Sequence, residues 1–321
     1  MRILTAVQCT GKLHLGNIVA ALSPTIKLSE KNENDVFVFL ADLHSLTTIK
    51  NSKDLKDNTY YAASCWLALG LDPEIITFYR QSRIQGVCEL TWIFNCLTPF
   101  PMLANAHAFK SKSQKLSDVN VGLFDYPILM AADILLMQSE IVPVGKDQKQ
   151  HIEIARDVAK AFNNTFGNVF VIPEEMIDNN ISLIPGTDGQ KMSKSYHNTI
   201  DVFASDEQLY KSVMSIKTDS KRPEEPKNPD ECIIFNIYKS IADEHAVSVL
   251  RNKYLSGGMG YKDAKELLYE TIKQKFHPAR ERFNAVKNDL SMLEKVLQRG
   301  EEKAQAVADK TLQEIRKFLY I

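Results

Sequence analysis

The chain alternates between short, continuous apolar runs and longer segments in which apolar residues recur every three or four positions. Residues 3–7 and 35–41 (Asp-Val-Phe-Val-Phe-Leu-Ala) are of the first kind, the pattern of parallel strands buried on both faces. Residues 75–79, 141–144 and 169–172 read as three further strands. Between them lie helical periodicities: Leu15, Ile18, Val19, Leu22 and Ile26; residues 55–69, closed by Gly70 with Pro73 beyond; residues 90–103; residues 126–137; and Ala155, Val158, Ala159 and Phe162. Strand and helix in alternation predict an α/β body built on a parallel sheet.

After Ser205 the strand pattern stops. Ser205-Asp206-Glu207-Gln208 reads as a capping box, and residues 218–231, with Pro223, Pro226 and Pro229 among alternating charges, as an irregular linker. Helical segments follow over 232–242, 246–255, 262–276 and 278–318, the last with a break near Gly300. The expected organisation is an α/β domain over 1–205 and an all-helical domain over 206–321.

Length and composition fit this division. The 321 residues are 44% hydrophobic, enough for two cores. Thirty-nine basic residues against 40 acidic leave a net charge of -1. That balance removes the global basic footprint of a nucleic-acid binder, so any RNA site is a local patch and DNA is not an expected partner. The five cysteines, Cys9, Cys65, Cys88, Cys96 and Cys232, are odd in number and contain no Cys-x-x-Cys pair, which excludes a zinc ribbon or disulfide framework. The N-terminus runs directly into a strand pattern and no apolar run reaches the length of a membrane span, so a soluble, cytoplasmic protein is expected.

Four stretches carry candidate chemistry. Gln8-Cys9-Thr10-Gly11-Lys12-Leu13-His14-Leu15-Gly16-Asn17 joins the first strand to the first helix; its glycines let backbone approach a phosphate at a helix N-terminus, and His14 and Asn17 share the first turn. The same residues also suit a plain turn with a surface histidine. At the carboxyl end of the second strand, where open α/β sheets bind ligands, stands His44. Residues 126–137 place one carboxylate, Asp133, in an otherwise apolar helix with Tyr126 and Met130 on the same side. Buried there it must be paired or hydrogen-bonded, either as a structural salt bridge or cap, or as the floor of a mostly apolar pocket that accepts from a ligand donor. Finally, Lys191-Met192-Ser193-Lys194-Ser195 follows the turn-rich run Pro185-Gly186-Thr187-Asp188-Gly189. A mobile loop bearing two ammonium groups can close on polyphosphate, although two lysines in five residues also describe ordinary surface. Gly145-Lys146-Asp147-Gln148 forms a second strand-to-helix turn, with an Asp able to take ribose hydroxyls, and Lys112 lies in an exposed lysine-bearing stretch.

In this order the motifs resemble those of a class I aminoacyl-tRNA synthetase, and most closely the bacterial tryptophanyl-tRNA synthetases. Residues 10–17 look like the first class motif, with Asn17 in place of its second histidine, and residues 191–195 are an unaltered copy of the second. The likeness runs nearly end to end, through Asp42-Leu43-His44, residues 126–135, residues 145–151, Gly257-Gly258-Met259-Gly260-Tyr261 and Glu302-Lys303-Ala304. It implies a Rossmann body with an inserted segment over about 45–140, a helical anticodon-recognising domain, and a homodimer. The implied reaction activates L-tryptophan with ATP and Mg²⁺ and transfers it to the tRNA for tryptophan.

The resemblance also implies roles. His14, Asn17, Lys112, Lys191 and Lys194 share the polyphosphate charge, and Gln8, Cys9, Thr10, Gly16, Gly145, Lys146, Asp147, Met192, Ser193 and Ser195 complete the ATP site, with no metal ligand from the protein. Tryptophan is expected against Leu4, Gln8, His44, Tyr126, Met130, Asp133, Val142, Val144 and Gln148, its indole N–H donating to Asp133 and its α-amino or carboxylate end meeting Tyr126, Gln148 and His44. Two departures stand out: Cys9 where the family commonly has proline, a looser turn or an oxidisable thiol, and Lys146 where it commonly has glutamate. A tyrosyl enzyme is the nearest alternative, since a phenol also needs a buried carboxylate, and a synthetase-like paralogue with altered substrate or without catalysis is another. A small-molecule nucleotidyltransferase shares the histidine-bearing turn but lacks the late lysine loop and helical C-terminus.

Overall fold

The computed structural model describes residues 1–31, 33–106, 119–177 and 184–321. Its centre is a five-stranded parallel sheet: β1 (Arg2–Gln8), β2 (Asp35–Ala41), β3 (Ile76–Arg80), β4 (Ile141–Pro143) and β5 (Glu174–Met176), in the order β3-β2-β1-β4-β5. β1 and β2 pair along their whole length, from Arg2 with Asp35 to Gln8 with Ala41. Strand order reverses between β1 and β4, and the crevice at their carboxyl ends is where doubly wound sheets bind ligands.

Alternate residues of the central strands feed two cores. Leu4, Phe37 and Phe39 pack beneath the helices Val121–Leu136 and Lys149–Phe166, while Ile3, Val36, Val38 and Leu40 face Trp66 and its neighbours on the helix Ser52–Ala68. Each such side chain contributes about 1.5–3 kcal/mol by leaving water, so a one-residue slip of β1 or β2 would exchange the two faces at great cost.

Four of the expected strands form where the apolar runs lie, and the fifth is displaced. Residues 169–172 are not a strand; β5 follows them at Glu174–Met176. Their backbone is bound by side chains instead of a ladder. Asn163 Oδ1 accepts from the N–H groups of Val169 and Phe170, Asn163 Nδ2 donates to the Phe170 carbonyl, and Gln138 bonds the Val169 carbonyl and the Val171 N–H. The apolar run marks a core plug, with Phe170 between Phe94 and Phe162.

The helices after Ser205 divide between cores. Residues from Asp206–Met214, Ile233–Lys239, Glu244–Ser256 and the first half of Tyr261–Asn288 form a third core with Leu15, Ile18, Met192 and Ile200. Phe283, Val286, Leu293 and Leu297 return to the sheet's second core, and Ala304, Ala308, Leu312 and Ile315 to its first. The expected breaks at residue 278 and near Gly300 are absent: helix Tyr261–Asn288 contains Pro278, and Leu290–Leu319 contains Gly300. Pro278 is tolerated because the carbonyl it leaves without a helical partner belongs to exposed Gln274. The chain breaks instead at Asp289, whose carboxylate caps the last helix by accepting from the Met292 N–H.

Gly300 has a packing reason. A Cβ there would stand 1.8 Å from the Phe78 carbonyl oxygen, so the last helix lies directly on the β3 backbone. Arg80 clamps the same contact: it is 7% exposed and binds Glu294 and Glu301 of that helix at 2.8 and 2.5 Å. Gly300→Ala is expected to lower the unfolding free energy by about 3 kcal/mol or more, because the obstacle is backbone that cannot move aside. Urea unfolding of the two proteins measures it; a midpoint within error of wild type would contradict this packing.

Candidate active site

The turn after β1 is rigid and its parts face different ways. Cys9 is wholly buried, with Sγ directed at the Val7 carbonyl, and burial pushes its thiol up to about 12. A protonated, enclosed thiol is a poor target for oxidation, and its side chain faces the core rather than the ATP site expected of it. Gly11 follows at φ +96, a left-handed conformation that favours glycine, and brings the turn beside Lys194. His14 and Asn17 then close the first helical turn reciprocally: His14 Nδ1 accepts from the Asn17 N–H at 3.3 Å, and Asn17 Oδ1 accepts from the His14 N–H at 3.2 Å. With Nδ1 accepting, the proton of a neutral ring sits on Nε2. Burial, with Lys194 and Lys191 adding to it, lowers the His14 pKa to about 4. His14 is therefore a neutral donor beside two cations.

The lysine motif is folded against this turn. Lys194 Nζ donates to the Thr10 carbonyl at 3.1 Å, and burial lowers its pKa. Met192 is 3% exposed; its side chain belongs to the third core and its N–H bonds the Ile184 carbonyl, so the methionine anchors the loop and does not offer its side chain to a nucleoside. Asn198, buried and unremarked in the sequence, ties the loop together. Its Oδ1 accepts from the Ser193 N–H at 2.8 Å, and its Nδ2 donates to Asp188 Oδ1 at 2.7 Å and to the Lys191 carbonyl at 3.1 Å. Gly186 has no room for a Cβ beside it. Ser193 and Ser195 join through their hydroxyls at 2.9 Å, and the Lys191 side chain is exposed.

Between the two motifs lies a cavity of about 560 Å³, lined by Gln8, Thr10, His14, Asn17, Ser193, Lys194 and Ser195 together with His44. Its volume suits a nucleotide-sized ligand. The β4 turn lies apart from it. Gly145, Lys146 and Asp147 are exposed at the carboxyl end of β4, and half-buried Gln148 donates to Asp147 at 3.1 Å. Gly16 opens the first helix, half-buried. Lys112 falls outside the described residues.

Asp133 is where the apolar helix placed it, 3% exposed, and it is bonded. Gln81 Nε2 donates to both carboxylate oxygens, at 2.9 and 2.8 Å, and His44 Nε2 lies 3.0 Å from Oδ2. Burial raises the Asp133 pKa, while His44 and Gln81 oppose the rise. The His44 ring thus meets Asp133 through Nε2, and His44 also lines the cavity. Leu4 and Val142 from β1 and β4 share one apolar cluster with Met130 and Val144. Tyr126 meets His44 edge-on at 6.3 Å and its hydroxyl lies 2.8 Å from His151 Nε2. Gln81, His151 and Asn198 were missed in the sequence. Gln81 was findable, since it is polar and directly follows a buried strand, the rule that singled out His44.

Comparison with known proteins bears on what this arrangement does. A profile of the class I tRNA synthetases (W and Y) matches residues 1–277. The chain is similar to the tryptophan–tRNA ligase of Campylobacter jejuni, 43% identical over 315 residues that cover 98% of each chain, and to that of Neisseria meningitidis, 42% identical over 98% of this chain and 96% of the relative. Among solved structures, tryptophanyl-tRNA synthetase from Campylobacter jejuni complexed with ADP and tryptophan superimposes with a TM-score of 0.94, at 42% identity and full coverage of both chains.

The neutral state of His14 has a measurable consequence. With its folded pKa at about 4 and an ordinary value of about 6.5, the unfolded chain binds the proton first. The contribution of this ring to stability is complete above about pH 6.5 and is lost as the pH falls from there towards 4. Ring ¹⁵N chemical shifts followed by NMR are expected to show the Nε2–H tautomer persisting to about pH 5, and a midpoint near 6.5 would refute the assignment.

Proposed function

The chain belongs to the class I tRNA synthetases of the tryptophan and tyrosine branch, and within it we propose that the protein activates L-tryptophan with ATP and transfers it to the tRNA for tryptophan. The observation that carries this reading is the contact of Lys194 with Thr10, which joins both class motifs at one cavity beside the carboxyl end of β1. The identity of more than 40% to tryptophan ligases over nearly the whole chain favours tryptophan over tyrosine.

In the first step the tryptophan carboxylate attacks the α-phosphorus of ATP and pyrophosphate departs. In the second, a hydroxyl of the terminal tRNA ribose attacks the activated carbonyl and AMP departs. No covalent enzyme intermediate is needed, so catalysis is positioning and charge stabilisation. Lys191 and Lys194 offset the growing charge on pyrophosphate, with Lys112 expected beside them. His14 donates Nε2–H to a phosphate oxygen, and as a neutral ring it adds no repulsion to the lysines; Asn17, Gln8 and Thr10 supply further polar contacts. Mg²⁺ carried by ATP would offset part of the phosphate charge. Gly145 and Asp147 hold the nucleoside and ribose, with Lys146 turned outward.

Asp133 accepts from the indole N–H. Three donor contacts leave one of its roughly four lone-pair sites for the ligand. Leu4, Met130, Val142 and Val144 pack the ring, and Tyr126 and Gln148 meet the α-amino end. A homodimer is supported by the exposed Trp92, Phe100 and Val121 in the segment between β3 and β4, apolar surface that association would cover. The helices over 206–321 are the proposed anticodon reader of a cytoplasmic enzyme.

Amino-acid-dependent pyrophosphate exchange tests the reading. Tryptophan should support exchange and tyrosine should not; exchange driven by tyrosine alone would refute it. Asp133→Ala is expected to lower the preference for tryptophan over phenylalanine by on the order of 10²-fold, as a site built around one buried polar pair loses that pair. Lys194→Ala should reduce kcat by roughly 10²–10³-fold, the usual cost of one transition-state donor. Unchanged discrimination in the first variant, or unchanged kcat in the second, would remove that residue from its role.

A further inference from the structure

Behind Asp133 lies a side chain that neither class motif includes. Gln81, the residue after β3, is wholly buried. Its Oε1 accepts from the backbone N–H groups of Leu43 and His44, at 3.1 and 3.3 Å, and its Nε2 meets both Asp133 oxygens. The orientation of the amide is determined by chemistry. Two backbone N–H groups require an acceptor, so the NH₂ end must face the carboxylate.

The residues on either side leave Gln81 no freedom. Arg80 is held by Glu294 and Glu301 of the last helix. Ser82 donates its N–H to Asp42 Oδ1 at 2.9 Å, and its hydroxyl bonds the other Asp42 oxygen. Three consecutive side chains thus join β3 to the last helix, to Asp133 and to the end of β2. Gln81 is the member of this set that touches the buried Asp133 carboxylate.

We infer that Gln81 is a positioning residue for amino-acid selection: it holds the Asp133 carboxylate in place against the end of β2 and keeps it an acceptor towards the ring N–H of the bound amino acid. The inference deepens the tryptophan reading and rests on it. Gln81 donates and never accepts at this contact, so the carboxylate needs no proton of its own to make it. Gln81→Glu keeps the shape and the backbone acceptor but sets a second carboxyl against the first. Two carboxyls at this distance share a proton, which occupies the very sites a ligand N–H would use.

The test is pyrophosphate exchange by the full-length protein with two substrates, L-tryptophan and β-(3-benzothienyl)alanine, in which sulfur replaces the ring N–H. Wild type is expected to prefer tryptophan by about 10²-fold or more, and Gln81→Glu to lower kcat/KM for tryptophan at least ~10-fold, mainly through KM. The analogue's kcat/KM and the KM for ATP should stay within about threefold of wild type. Equal losses for both substrates, or an unchanged preference, would overturn the role of Gln81 and leave Asp133 standing. If wild type itself showed no preference, the indole contact at Asp133 would fall, and this inference with it. Gln81→Met, similar in length but without donor or acceptor, is read by the same criteria if the Glu variant does not fold.

Discussion

One contact joins the two ends of the site: the ammonium of Lys194 on the carbonyl of Thr10, 3.1 Å long and mostly shielded from water. A charge in that position must find oxygen, and the turn after β1 offers a backbone oxygen because Gly11 takes a left-handed conformation there. The cost of desolvating the lysine is carried by packing elsewhere. Met192, two residues earlier, is buried among Leu15, Ile18 and Ile200, so the loop and the first helix belong to the same core. Displacing the ammonium by phosphate oxygens would exchange one acceptor for stronger ones without dismantling that core.

Charge is distributed across the site by the same logic. Lys194 and Lys191 stand near His14, and the imidazole responds by remaining neutral, its Nδ1 committed to the Asn17 N–H. Among the described residues, the positive charge beside His14 stands on these two lysines. Asp133 is bonded by His44 and Gln81.

Much of this was legible in the sequence. β2 lies exactly over its apolar run, because a strand buried on both faces leaves no other reading, and Asp133 was conspicuous as a carboxylate in an apolar helix. The failures have physical causes. Residues 169–172 look like a strand but are bound by Asn163 and Gln138, long-range partners that no local pattern reveals. Gly300 reads as a break when the helix is considered alone, and as a contact surface once β3 lies beneath it. His44 stands at the strand end expected of it, but its contact with Asp133, 89 residues away, has no local signal. Asn198 carries no mark at all, since its importance lies in three bonds formed only after the loop folds back.

The last helix shows how far the support of a pocket extends. By sequence it ends a helical region remote from the sheet; in space it covers the edge strand β3 and neutralises Arg80. An arginine buried at a strand end and deprived of its carboxylates would cost about 3–5 kcal/mol, enough to displace the strand end rather than leave the charge unpaired. Gln81 is the next residue, and Asp133 hangs from its amide. Packing of Gly300 on Phe78 and pairing of Arg80 with Glu294 and Glu301 therefore do more than close the sheet. They define where β3 stops, and through one side chain they define where the pocket's carboxylate stands.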